Sequence, residues 1–447
     1  MTIKGINKAI GFGAAVLIAG AGSAGAQSSD ALIDKLVQKG ILTVKEANEL
    51  REESDKGFSS AYSVKSGMPD WVNSLRFNGD LRLRYDRISG NDPTLVDRDR
   101  FRYRLRFGYT AVLKDNFEIG IGLTSTEQLG KDVNAADPIS NNQTFGDNAS
   151  KKAIGLDKVY VKWTPVNNSF WSASTTIGKM DNPFVYPSTL LFDKDYTPEG
   201  FVQDFGITLN AHHSLRAVGG VFILDEVPNS THDPYMFAGQ FRWDANWSPK
   251  IQTSAGAGFF SIVNRAALTN GAIPDIGAGN TRIGPTGVLA NSFSSLYADA
   301  SATYSLASFP GYTGPFPLTI SGDYIQNFAA KHDNRGYSIG AIIGKAGKKG
   351  LWEINYRYTE FQADAWFEEF VESDFGAYYK FTPPGAAGRG YRSGTNVRGH
   401  WIKGTYNIYD SLSFSVAYFM TELIHRPPGA PYDSGTGRLF VEAVWKY

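Results

Sequence analysis

The stretch Arg98-Asp99-Arg100-Phe101-Arg102-Tyr103-Arg104-Leu105-Arg106-Phe107 decides the fold. Arginine occupies every second position from Arg98 to Arg106, while Phe101, Tyr103, Leu105, Phe107 and Tyr109 fill positions between and beyond. A period of two is that of a strand, whose successive side chains point to opposite faces. One face is therefore a ladder of cations and the other is apolar. A soluble sheet with a dry inner face has no use for five arginines in register, whereas a barrel wall with lipid outside and water inside accepts them.

The preceding segment repeats the pattern in the same sense. Leu75, Phe77, Gly79, Leu81, Leu83 and Tyr85 alternate with Arg76, Asn78, Asp80, Arg82, Arg84 and Asp86. A polar stretch with Gly90, Asn91, Asp92 and Pro93 joins the two, so the spacing predicts a hairpin. If the strands are neighbours, Arg82 and Arg84 share one face with Arg98, Arg100, Arg102, Arg104 and Arg106, and that face lines a lumen.

Working outward, segments of similar alternation run from 75–87 and 98–112 through 116–126, 155–164 and 170–179 to 438–447. Sixteen can be counted, each about the length a tilted strand needs to cross a bilayer. Connections after odd-numbered segments are mostly long and polar, and those after even-numbered ones are mostly turns such as Lys114-Asp115 and Ser248-Pro249. A membrane barrel alternates in this way. The one irregular turn is Ser305 to Phe316, with Pro310 and Pro315. The last segment places Arg438, Phe440, Glu442, Val444 and Lys446 on one face and ends on Tyr447.

The first 26 residues carry Lys4 and Lys8, then an apolar run and Ala24-Gly25-Ala26, which reads as a secretory signal cleaved after Ala26. Residues 27–58 hold Leu32, Ile33, Leu36 and Val37 at helical spacing, then a capping box of Thr43 and Glu46. They read as a short periplasmic helical segment. Residues 59–74 read as a linker and 75–447 as the barrel.

Composition excludes several classes. The 44 basic and 44 acidic residues balance, and removing the signal leaves 42 against 44, unlike the strongly basic domain of a nucleic-acid binder. Beyond the signal no apolar run is long enough for a helical span. Cysteine is absent, so there is no disulfide framework and no lipidated cysteine. No nucleophile elbow or phosphate-cradling loop is present, and the histidines His212, His213, His232, His332, His400 and His425 show no metal-binding spacing with a third ligand. Neither an enzyme, a cofactor nor a metal site is expected.

The stretch Gly178-Lys179-Met180-Asp181-Asn182-Pro183-Phe184, followed by Leu191-Phe192-Asp193 and Pro198-Glu199-Gly200, completes the pattern. With the helical pair and the strand count, the sequence resembles the putative porins of Gram-negative bacteria. The resemblance implies a sixteen-stranded, general-porin-like barrel in the outer membrane, a homotrimer, and passive diffusion of small hydrophilic solutes and ions. It also implies that the loop at 180–200 folds inward and narrows the bore. Asp181, Asp193, Asp195 and Glu199 would then face the arginine wall and set a transverse field that sorts solutes by charge.

Two readings of the wall stay open. The arginines select anions, or they pair with Asp80, Asp86 and Glu118 as a solvated scaffold. A barrel with a closed lumen and partner-binding loops is the alternative to a pore. In the longest loop, Trp366, Phe367, Phe370 and Val371 among Asp364, Glu368, Glu369 and Glu372 suggest a short amphipathic helix.

Overall fold

The computed structural model describes residues 69–447, apart from 128–136, 229, 270–277, 384, 387–389 and 392–393. The expected signal, the helical segment at 27–58 and the linker up to residue 68 lie outside the described residues.

Sixteen antiparallel wall strands run through the described residues: β1 (Val72–Gly90), β2 (Arg98–Leu113), β3 (Phe117–Ser125), β4 (Ile154–Asn167), β5 (Trp171–Lys179), β6 (Glu199–Thr208), β7 (His213–Ile223), β8 (Tyr235–Ser248), β9 (Ile251–Val263), β10 (Phe293–Leu306), β11 (Phe316–Asn327), β12 (Arg335–Gly344), β13 (Trp352–Phe361), β14 (Val397–Tyr409), β15 (Leu412–Leu423) and β16 (Thr436–Lys446). Each pairs with its neighbours in sequence, and β1 pairs with both β2 and β16, so the sheet closes without an edge. The closure registers Asp80 with Lys446 and Gly90 with Thr436, and the Gly79 N–H donates to the Tyr447 carbonyl at 3.0 Å. Closure pairs β1 with β16 from Asp80 to Gly90, as a wall in hydrocarbon requires of its backbone.

The strand count and the alternation of loops match the sequence reading, and β1 begins at Val72, inside the stretch read as linker. The tight connection 114–116 needs two positive-φ residues, and Asp115 (60°) and Asn116 (63°) supply them. The irregular turn after β10 is closed by its own aromatic cluster. There Phe309 stacks on Phe316 at 4.0 Å, and Tyr312 meets Trp352 edge-on at 5.9 Å.

The two faces separate as the period of two requires. Leu83, Leu105 and Phe107 project outward and are 41, 38 and 44% exposed, while Arg82, Arg84 and Arg102 point inward and are buried. Large exposed hydrophobics recur all around the wall, from Phe77 on β1 to Trp445 on β16. A continuous apolar exterior of this kind suits lipid and not water.

Candidate functional site

The loop 180–198 leaves β5 just after Gly178, whose φ of +120° and close approach to the Val159 carbonyl leave no room for a side chain. It then crosses the interior. Arg216 of β7 donates to the Pro183 carbonyl at 3.1 Å, and Gln240 of β8 pairs with both the N–H and the carbonyl of Val185 at 2.9 and 2.7 Å. Further along, Ser188 bonds Asp323 of β11 and Arg357 of β13 donates to the Pro187 carbonyl at 3.1 Å. The loop returns to β2 at Asp195, which meets Arg104 at 3.2 Å and pairs with Arg106. Wall strands β7, β8, β11, β13 and β2 are thereby strung together through the bore.

A second loop, 362–396, packs against the first through Trp366 and Phe370. Phe192 and Trp366 are wholly buried and meet edge-on at 6.3 Å; Tyr196 and Phe370 lie 4.8 Å apart, and Phe260 of β9 packs against both Phe184 and Trp366. These rings fill the side of the lumen walled by β6 to β11 with an apolar core. Residues 364–372 form turns, not the helix expected from their spacing. The reason is that a third segment satisfies their backbone. Asn280 donates to the carbonyls of Ala363 (2.6 Å) and Trp366 (2.8 Å) and accepts from the Glu368 N–H (2.9 Å), while the Arg282 guanidinium pairs with Glu368 at 2.5 Å. Tertiary contacts replace the helical hydrogen bonds.

The opposite side of the lumen belongs to the arginines. The β1–β2 register sets Arg82 against Arg104 and Arg84 against Arg102. Like charges directly opposite are unfavourable, and carboxylates interleave them. Glu442 of β16 takes Arg84 at 2.7 Å, Lys403 of β14 at 3.2 Å and Arg82 at 3.6 Å. Asp80 takes Arg104 at 2.8 Å, and buried Asp86 takes Arg100 and, at 3.1 Å, Arg438. From the loops come Asp374, 3.0 Å from Arg84 and 3.1 Å from Arg438, and Glu127, 3.6 Å from Arg102. Between this sector and the two loops lies a cavity of about 600 Å³.

The expected site residues are placed unequally. Arg82, Arg84, Arg100, Arg102, Arg104 and Arg106 converge on the lumen, whereas Arg98 is exposed at the first position of β2. Of the loop carboxylates, Asp195 meets the arginines. Asp193 instead joins the two loops: its carboxylate accepts the Ser373 N–H at 2.9 Å, and its own N–H donates to the Phe370 carbonyl at 2.6 Å. Asp181 pairs with Lys158 at 3.0 Å and Glu199 with Lys179 at 3.2 Å, and both carboxylates are well exposed. Asp80 and Asp86 pair with the ladder as the scaffold reading has it, but Glu118 accepts from the Tyr160 hydroxyl at 2.8 Å.

Sequence reasoning missed Glu442 and Asp374. Glu442 was visible on the inner face of the last strand once β16 is paired with β1; Asp374 carries no comparable signal, because its place is set by how a long loop packs.

The loop carboxylates divide electrostatically. Burial works against ionised Asp195, but Arg106 and Arg104 outweigh it and hold the group below the usual carboxylate range. Asp374 is held down in the same way by Arg84 and Arg438. Asp193 goes the other way: burial, then Glu372 and Asp195, push it well above the ordinary value. Glu372 is likewise raised by burial and by Asp374.

Residues 88–281 match the model of a family described as Putative porin. The match runs from the end of β1 to the segment before β10 and includes the loop that crosses the bore. The resemblance read from the sequence is borne out. A high-pH structure of OprB from Pseudomonas putida has a similar fold, with a TM-score of 0.50 at 9% identity over 83% of this chain and 94% of that one. A mutant of the Rhodopseudomonas blastica porin aligns with a TM-score of 0.43 at 11% identity, over 83% of this chain and 100% of that one. No curated protein matches the chain. The protein is a closed, sixteen-stranded, porin-like transmembrane barrel.

Proposed function

We propose that the barrel is an outer-membrane channel for passive diffusion of small hydrophilic solutes and ions, anion-attracting at its narrowest level. One observation carries the reading: the inward loop 180–198 faces a wall of arginines across a confined cavity. In a narrow, low-dielectric passage such fixed charge acts on a solute far more strongly than at an open surface. Arg82, Arg84, Arg100, Arg102, Arg104 and Arg106 line the path, and Asp195 with Asp374 sets the counter-charge. The reading involves no catalytic step, cofactor or metal. It includes export by the N-terminal signal at 1–26, a periplasmic helical segment at 27–58 and, on the resemblance alone, assembly as a homotrimer.

The aromatic core that fills part of the bore supports a second reading, a structural or adhesive barrel with a closed lumen. Single-channel recording of the reconstituted protein in potassium chloride separates them. Stepwise conductance with a reversal potential toward that of chloride is expected; an electrically silent, folded barrel would favour the closed reading.

A further inference from the structure

The cavity between the arginine sector and the two loops is amphipathic, and its two halves are set by strand register. Trp401 and Lys403 lie two residues apart on the inner face of β14, opposite Phe419 and Ala417 of β15 respectively. Trp401 stacks on Phe419 at 6.0 Å and 23°. Ala417 is the small member of this group, so it leaves a hollow between the Trp401–Phe419 pair and the Lys403 ammonium. Phe440 beyond it is already capped, with the Arg84 guanidinium 3.9 Å and the Arg438 guanidinium 4.7 Å from its ring centre. The open aromatic surface is therefore that of Trp401, which is partly buried.

The cationic half begins one step away. Lys403 and Arg82 flank the same Glu442 carboxylate, at 3.2 and 3.6 Å. The cavity wall as a whole presents seven arginine or lysine side chains against five carboxylates. Three buried polar atoms of residues in this wall lack any hydrogen-bond partner, the Arg82 and Arg106 Nε donors and the Asn355 Oδ1 acceptor. Asn355 sits opposite Lys403 in the β13–β14 register, at the edge of the hollow. Such unpaired buried groups carry a free-energy cost, but they are closed to the cavity, so it is the Lys403 ammonium, more than a third exposed, that faces a solute.

We propose that this cavity is a binding subsite for aromatic carboxylates, with the ring on Trp401 and the carboxylate on the Lys403 and Arg82 side. The subsite rests on the channel reading above and gives it a substrate class. A carboxylate answers the cationic excess of the lining. A flat ring gains from the indole face as an aliphatic body of equal size does not.

The test compares benzoate, cyclohexanecarboxylate and acetate, which share a charge and differ in body. Two readouts are used on the full chain: saturation-transfer NMR of the detergent-solubilised barrel, which needs no conduction, and block of chloride current in planar bilayers. Benzoate should half-saturate at a concentration about tenfold below acetate and several-fold below cyclohexanecarboxylate, a spacing typical of a ring stacked on an aromatic face. Trp401→Leu should bring benzoate to the level of cyclohexanecarboxylate, while Trp401→Phe keeps most of the difference. Lys403→Gln should weaken all three anions together, and it keeps the test available should Trp401→Leu fail to fold. Equal affinities for benzoate and acetate in the native protein, or an unchanged benzoate preference in Trp401→Leu, overturn the proposal. Binding without conductance steps sustains the subsite and refutes the channel; conductance with no benzoate preference does the reverse.

Discussion

Arg104 on the wall and Asp195 on the inward loop meet with 3.2 Å between guanidinium and carboxylate, and Arg106 shares the same carboxylate oxygen. One loop residue thus compensates two rungs of the ladder. Replacing it, Asp195→Asn, leaves Asp80 as the ion-pair partner of Arg104 and Arg106 among the described residues. The expected outcome is a stronger anion preference, read as a shift in reversal potential across a potassium chloride gradient. The shift should be largest well below 0.1 M salt, where the screening length exceeds about 10 Å. The double replacement of Arg104 and Arg106 by glutamine should move the potential the opposite way. Identical potentials in all three proteins would remove the field from the account.

Glu442 anchors the other end of the sector, being 3% exposed and bonded to Arg84, Lys403 and Ser415. Deleting one partner of a buried ion network leaves charge uncompensated, at a cost of about 3–5 kcal/mol. Glu442→Ala should lower unfolding free energy in urea titrations of the reconstituted barrel by that order, and Glu442→Gln by less because an acceptor for Ser415 survives. A loss below about 1 kcal/mol would mean the network behaves like an exposed surface pair.

Most of the wall was legible because its physics is local: a period of two marks a strand, polar turns mark its ends, and the same faces recur from Leu75 to Lys446. The inner positions of Arg82, Arg84 and Arg102 follow from that alternation alone, and that of Glu442 once β16 is paired with β1. The interior was not legible in the same way. Whether Asp193 faces the arginines or joins the loops depends on Ser373 and Phe370, far away in sequence. The helix suggested at 364–372 fails for the same reason, since Asn280 occupies the backbone groups that a helix would pair internally.

The assignment of faces can be tested by a single exchange. Leu105 projects outward near the middle of β2, and its neighbour Arg104 projects inward. Leu105→Arg should destabilise the barrel by about 2–4 kcal/mol, the depth-dependent cost of arginine at the bilayer midplane. Arg104→Leu should instead change selectivity. If the two variants were equally stable and equally selective, the register would be shifted by one residue, because such a slip exchanges the faces.

The junction of the two loops should respond to pH with a definite sign. Asp193 has a raised value when folded, so its stabilising contribution is complete below the ordinary carboxylate range and is lost as pH rises through the raised value. Asp195 and Asp374 have depressed values, so their contribution is present above the ordinary range and lost only as pH falls through the depressed values. The loops are therefore held most firmly on the acid side of neutrality. Conductance should increase as pH is raised from about 4, near the ordinary carboxylate value, toward 8. Glu372→Gln removes the foremost charge that raises Asp193 and should flatten that response. A pH profile that is the same in both proteins would refute the assignment.

The loop 180–198 should set the narrowest cross-section. Leu191 and Phe192 within it are wholly buried, and its contacts reach wall strands on several sides of the bore. Deleting Pro187 to Asp195 removes the contacts to Arg357, Asp323, Arg104 and Arg106 but none of the wall rungs, because the β5–β6 ladder ends at Lys179 and Glu199. The barrel should still close, although Trp366 and Phe260 lose apolar cover worth about 25 cal/mol for each Å² exposed. Single-channel conductance should rise and larger sugars should enter reconstituted vesicles, while thermal stability falls. If conductance and the size limit stay as they were in a deletion that folds, the passage is narrowed elsewhere, with the loop 362–396 the next segment to shorten.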